Sequence, residues 1–162
     1  MDTGAACLNT LGTPNDPPIR LLAKFGQHFP SASPQVVLQA PERMMWAAAS
    51  FNGKARCVVC SGDTDTQTSF TYQSAKLKQT VLRRPLPSWA RYIAGVSVLL
   101  DVPEMPGINV VFCGDEPTGP RYEHSLAILF AALWYDVNMV DDYDPDQLID
   151  IAERVRREYV EA

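Results

Sequence analysis

The run "CGDEPTGPRYEHSLAILFAALWYDV", Cys113 to Val137, decides how the rest of the chain is read. Pro117, Gly119 and Pro120 break the chain directly before a stretch, Ser125 to Val137, that is apolar on every side. A helix that is apolar all round has to be surrounded by protein, so the stretch predicts a core helix. The N-terminus of such a helix presents unpaired N–H groups and the positive end of its dipole, and a tight turn delivering the chain there makes a natural anion seat. A phosphate would meet amides from Tyr122 to Ser125, the hydroxyls of Thr118 and Ser125, and the charge of Arg121. The same residues also read as a plain connection in which Glu123 and His124 polarise the first helical turn.

Working upstream, "GINVVFCGDEP" predicts a strand, and "PLPSWARYIAGVSVLLDV" a helix with Ser88 as N-cap behind Pro87 and Tyr92, Val96, Leu99 and Leu100 on one face. Before these, "QVVLQAPE", "RMMWAAASF", "ARCVVCSG" and "TQTSFTYQS" are short apolar or alternating runs that read as an antiparallel meander. Asn52-Gly53 is its best hairpin turn. "IRLLAKFGQHF" places Leu21, Leu22, Phe25 and Phe29 at helical spacing, and Pro30 stops it. Residues 1–18, rich in Gly, Pro, Asn and Thr, read as a flexible arm before a domain spanning 19–162. Downstream, "DPDQLIDIAERVRREYVE" repeats Leu148, Ile151 or Ala152, Val155 and Tyr159 on one helical face. Helix, meander, helix, strand, helix, helix gives a two-layer α+β domain with helices collected against one sheet.

Composition narrows the function classes. A chain of 162 residues with 46% hydrophobic content fits one core, and 14 basic against 19 acidic side chains give a net charge of -5. No general field attracts a polyphosphate backbone, so nucleic acid is not an expected partner. The opening "MDTGAACLNTLGTPNDPP" has neither a basic start nor an apolar run, which predicts a cytoplasmic protein without a membrane anchor. Four cysteines are then expected as thiols.

Other constellations lead less far. Asp142, Asp144, Asp146 and Glu153 have calcium-loop spacing, but Gln147 stands where the sharp turn needs glycine, and Asp144-Pro145-Asp146-Gln147 reads as a helix start. Cys57 and Cys60 lie three apart on a predicted strand and so point to opposite faces. His28 and His124 have no ligand-spaced companion for zinc. "VLRRPLP" reads as a solvated basic turn, and Trp89, Tyr92, Trp134 and Tyr135 as packing residues.

From Leu21 onward, the order of "LLAKFGQHFP", "APER", "WARYIAGVSVLL", "GDEPTGPRYEHSLAILFAALW" and "DQLIDIAERVRREYV" resembles the N-terminal half of the GHMP kinase superfamily, galactokinases above all. The resemblance implies the ribosomal protein S5 domain 2-like fold, with a left-handed crossover against the usual rule. It implies ATP and Mg2+ as cofactors, a sugar as substrate, and a phosphate turn whose family pattern is Pro-x-Gly-x-Gly-Leu-Ser-Ser-Ser. Pro117, Gly119 and Ser125 fall on that pattern, with Thr118 and Arg121 inside it; Ser125 and Glu153, or Glu158 in its place, would serve magnesium. Arg43, in "APER", would face the transferring phosphoryl group as the catalytic cation. The galactokinase Glu-His-Thr-Asp that grips the sugar is replaced within "APERMMWAAASFN". The family's later Gly-rich segment, its catalytic Asp and its second domain have no counterpart here. The resemblance therefore implies half of an ATP-dependent sugar kinase, truncated or split and inactive alone unless a C-terminal-half protein or a homodimer partner completes it. The alternative is a pseudokinase-like module holding a nucleotide, a sugar or a protein.

Overall fold

The computed structural model describes residues 17–100, 107–137 and 144–161. In chain order the elements are α1 (Ile19–His28), β1 (Val36–Gln39), β2 (Met45–Phe51), β3 (Cys57–Ser61), β4 (Thr66–Phe70), α2 (Tyr72–Lys76), α3 (Ser88–Leu99), β5 (Ile108–Gly114), α4 (Pro120–Val137) and α5 (Pro145–Val155), the last running into a π-helical turn, Arg156–Val160. The strands form one sheet in the order β1-β2-β5-β3-β4. β3 and β5 are parallel, and the other pairs antiparallel.

That order corrects the meander. β2 and β3 do not pair; β5 lies between them, with Ala48 opposite Val111 on one side and Cys60 opposite Val111 on the other. Asn52 and Gly53 still turn the chain, with Gly53 at φ 71 and Asn52 Oδ1 accepting from Lys54 N at 2.8 Å. The turn launches a strand that skips a place in the sheet, because β5, apolar but for Asn109 and buried along nearly its whole length, gains more by burial at the centre than at an edge.

Alternation along the strands divides the core. Met45, Ala47, Ala49, Cys57, Val59, Val110 and Phe112 face α3, α4 and α5, whereas Trp46, Ala48, Cys60, Val111 and Cys113 face Leu21 and Phe25 of α1. β2 is buried from Met45 to Ser50 because both its faces are covered. Its alanines are poor strand formers, but they let helices approach closely from either side. Cys57 and Cys60 do separate to opposite faces, and burial pushes both thiols up to about 12, away from thiolate chemistry.

α4 packs against β1, β2, α3 and α5. Every residue from Ser125 to Trp134 is buried, as the apolar run predicted. Each fully buried leucine or phenylalanine there stabilises the fold by about 1.5–3 kcal/mol. α5 starts as its sequence indicated: Asp144 and Gln147 form a reciprocal capping box, with Pro145 at the first helical position. Its stripe of Leu148, Ile151, Val155 and Tyr159 is covered from within by the core, so it offers no free face to a partner. Among the described residues, no helix is long and apolar enough to cross a membrane.

Candidate functional site

The turn Pro117-Thr118-Gly119-Pro120 delivers the chain into α4 with Gly119 at φ 134, a conformation that L side chains rarely adopt. A Cβ at Gly119 would meet nothing within 4 Å, so glycine serves the bend and the space beside it is open. Glu123 N already donates to Gly119 O at 3.0 Å, and Pro120 has no N–H. Free amides at this end are therefore those of Arg121 and Tyr122, a smaller cradle than the four from Tyr122 to Ser125.

Three side chains missed by sequence reasoning fix that first turn. Tyr122 is buried; its hydroxyl lies 2.8 Å from Ser61 Oγ and donates to Asp63 Oδ2 at 3.0 Å. Asp63, in the β3–β4 turn, also accepts from Gly114 N at 3.1 Å. Arg20 of α1 pairs with Asp63 at 3.5 Å and Asp115 at 2.8 Å and donates to Gly114 O. Partners 43 to 95 positions apart leave no local signal in the sequence.

Arg43 reaches the same place from the β1–β2 connection. Arg43 N donates to Ala40 O and Gln39 Nε2 to Arg43 O, while Glu42 adopts φ 59. Left-handed backbone at a non-glycine residue costs about 1–2 kcal/mol, so this turn is held by its surroundings. It points Arg43 Nη1 at Ser125 Oγ, 3.0 Å away, and at Arg121 O, 3.5 Å away. Arg43 has no carboxylate within ion-pair distance among the described residues. Burial, then the nearby Arg121, lower its pKa from the ordinary value, Glu116 opposing.

Around Arg43 lies a cleft of about 330 Å³ lined by Tyr92, Pro120, Arg121, His124, Glu153 and Arg156. Arg121 Nε donates to Glu116 Oε1 at 2.6 Å; Glu116 is nearly buried, and although burial raises its pKa, the Met44 N–H and Arg121 bring it below the usual carboxylate range. Glu123 faces away: its Oε2 accepts from Ser88 Oγ at 2.9 Å, at the start of α3. Ser88 is thus the first residue of α3 and not its N-cap, which is Pro87, and the Glu123 carboxylate answers the positive end of α3. Glu153, not Glu158, borders the cleft; Glu158 pairs with Arg154. Glu153 Oε1 takes Arg156 Nη2 at 2.8 Å, and its Oε2 stands 3.0 Å from His124 Nε2, off the line of a hydrogen bond, so this buried nitrogen is in contact yet unbonded. Burial, then Arg43, lower the His124 pKa, Glu153 opposing.

These donors suit an anion and do not fit magnesium. Mg2+ needs near-octahedral oxygen ligands with a carboxylate among them. Ser125 Oγ already carries the Arg43 guanidinium and donates to Arg121 O at 2.8 Å, so a divalent ion there would meet a fixed positive charge. Glu153 is held by Arg156. Among the described residues, no group of three or more His, Cys, Asp or Glu side chains can hold a metal ion. Thr118 and Pro117 are exposed beside the cleft.

No family model matches the chain, and no curated protein matches it. Solved structures do. The Lactococcus lactis galactokinase complexed with galactose superposes with a TM-score of 0.65 at 13% identity, over 88% of this chain and 42% of that one. A mevalonate kinase gives 0.51 at 10% identity, over 72% of this chain and 38% of that one. The Methanococcus jannaschii mevalonate kinase gives 0.50 at 9% identity, over 72% and 37%. The chain thus spans about two fifths of the length of these kinases. At such identities the likeness is one of architecture: this chain has the α+β fold of the GHMP kinase N-terminal domain.

Proposed function

We propose that the chain is a phosphate-binding module on a GHMP kinase fold, seating the phosphate tail of a nucleotide such as ATP at the N-terminus of α4. The observation that carries this reading is Arg43: a half-buried guanidinium with no carboxylate partner among the described residues, crowded by Arg121 and aimed at Ser125 in the helix's first turns. An oxyanion relieves that crowding, because it interacts favourably with both arginines and with the N–H groups of Arg121 and Tyr122. Pro117, Thr118 and Gly119 shape the mouth, and Arg156 bounds the far side.

Sugar phosphorylation is the second reading, favoured by the likeness to galactokinase. In it Arg43 stabilises charge on the transferring group and a further domain or protein supplies the base. Phosphoryl transfer rests on positioning and charge stabilisation from groups on both sides of the reacting phosphate. The described carboxylates at this end, Glu116, Glu123 and Glu153, all have partners, which supports binding over turnover for these residues taken alone.

Calorimetric titration with ATP tests both. Binding is expected with or without Mg2+, and Arg43→Ala is expected to weaken it about tenfold, the loss of one charge-assisted contact. Gly119→Glu is expected to weaken it further. Absence of ATP binding would remove the module reading; ATP-dependent phosphate transfer to a sugar by the chain itself would establish the second.

A further inference from the structure

At the other end of the sheet, where β5 begins and β2 ends, a second groove of about 470 Å³ opens on the α1 side. The helix on that face, α1, is ten residues long and packs mainly against β5 and β2. Following β5 outward, Cys113 and Val111 lie under α1, and the next residue on that face, Asn109, is polar. Val58 of β3 and Gln67 of β4 continue the floor, with His28, Phe29 and Phe51 as walls and Lys54 and Arg56 at the rim.

Its polar groups are one-sided. Asn109 Oδ1 accepts from Asn52 Nδ2 at 2.9 Å, Asn52 Oδ1 from Lys54 N at 2.8 Å, and Gln67 Oε1 from His28 Nδ1 at 2.9 Å and from Cys60 Sγ at 3.4 Å. The amide oxygens of the groove are therefore engaged within the protein, which leaves the Ser31 hydroxyl as a side chain there that can accept as well as donate. What otherwise remains are donors: the amide nitrogens of Asn109 and Gln67, Lys54 Nζ and the Arg56 guanidinium, none with a partner among the described residues. Among the described residues, no carboxylate lines the groove, although acidic side chains outnumber basic ones in the chain. The carboxylate that comes near, Asp65, takes Lys24 Nζ at 2.8 Å with both oxygens and stands 3.8 Å from His28 Nε2. Phe51 is 47% exposed, an unusual setting for a phenylalanine, with Phe29 also on the groove.

We infer that this groove binds a small organic oxyanion attached to a flat apolar ring, its charged head on Lys54, Arg56 and the two amides and its ring against Phe51 and Phe29. Two cationic and two amide donors, with their amide oxygens already engaged, select an anion, and exposed aromatic faces favour a planar body. The site is independent of the α4 cleft, which lies at the opposite end of β2 and β5.

Phenyl phosphate is the probe, with inorganic phosphate and phenol as arms, titrated by calorimetry and by amide chemical-shift mapping. Saturable millimolar binding of phenyl phosphate is expected, shifting Asn52, Lys54, Arg56, Gln67 and Asn109. Lys54→Glu with Arg56→Glu should weaken it at least tenfold, and Phe51→Ala severalfold. Both sites are exposed, so the melting temperature of each variant should stay at the parent value. Arg43→Ala should leave phenyl phosphate binding here unchanged and lower ATP binding, which separates the two clefts. Read at these five residues, inorganic phosphate binding as tightly as phenyl phosphate, phenol alone binding equally, binding abolished by Arg43→Ala, or no saturable binding in the millimolar range would each overturn the inference.

Discussion

His124 and Arg43 face one cleft, and their proximity sets how the imidazole titrates. Burial and the neighbouring cation hold the His124 pKa below its ordinary value, so the folded chain takes up a proton less readily than the unfolded one. The unfolded state then binds more protons as pH falls below about 6.5, and stability that is complete above that pH declines beneath it. The melting temperature is expected to fall between pH 6.5 and 5, and His124→Asn to flatten that decline; an unchanged slope in the variant would locate the effect elsewhere. Sulfate, whose charge is constant over this range, should bind more tightly as pH falls, since a bound oxyanion favours the imidazolium. The bend at Gly119 and the helix behind it are legible in neighbouring residues, and Arg43 is singled out only by the family resemblance, but the hold of Tyr122 on Ser61 and Asp63 leaves no local signal. Nor did the sequence show that Glu123 turns toward Ser88, because side-chain direction across 35 positions is decided by packing.

Helices were legible where their signals are local. The capping box of α5, the apolar run of α4 and the alternation that parts Cys57 from Cys60 are written within a few residues of one another. The partner of a strand is not, and so the Asn52-Gly53 turn suggested a hairpin that β5 interrupts. Helix crossing is likewise set at a distance. On α3, a Cβ added to Gly95 would come within 2.6 Å of Val155 Cγ1 on α5 and 2.8 Å of Tyr159 Cδ2. Gly95→Ala gains helix propensity yet overpacks this crossing, and a net destabilisation of about 1–3 kcal/mol is expected in denaturant unfolding. Val155→Ala in the same background should recover part of the loss, whereas strict additivity would mean that the contact does not cause it.

Across the whole molecule, a single sheet is covered by α3, α4 and α5 on one face and by α1 on the other, and α4 joins most of these layers. Phe130 on α4 is fully buried and meets both Phe70 of β4 and Trp134. Phe130→Ala is expected to cost about 3–5 kcal/mol, read from the urea midpoint, with no change in phenyl phosphate binding at the far groove as long as the chain stays folded. Fold class followed from the order of elements, while the placement of α1 alone behind the sheet did not, since its amphipathic pattern says which side is apolar and not which surface receives it. The central position of β5 has a consequence for synthesis. A ribosome releases both β1–β2 and β3–β4 well before the strand that zips them together, so the emerging chain carries two open hairpin edges until residue 114 has cleared the exit tunnel. Peptides 1–100 and 107–162 should each lack the circular-dichroism spectrum of the folded chain when made separately and regain it only when mixed.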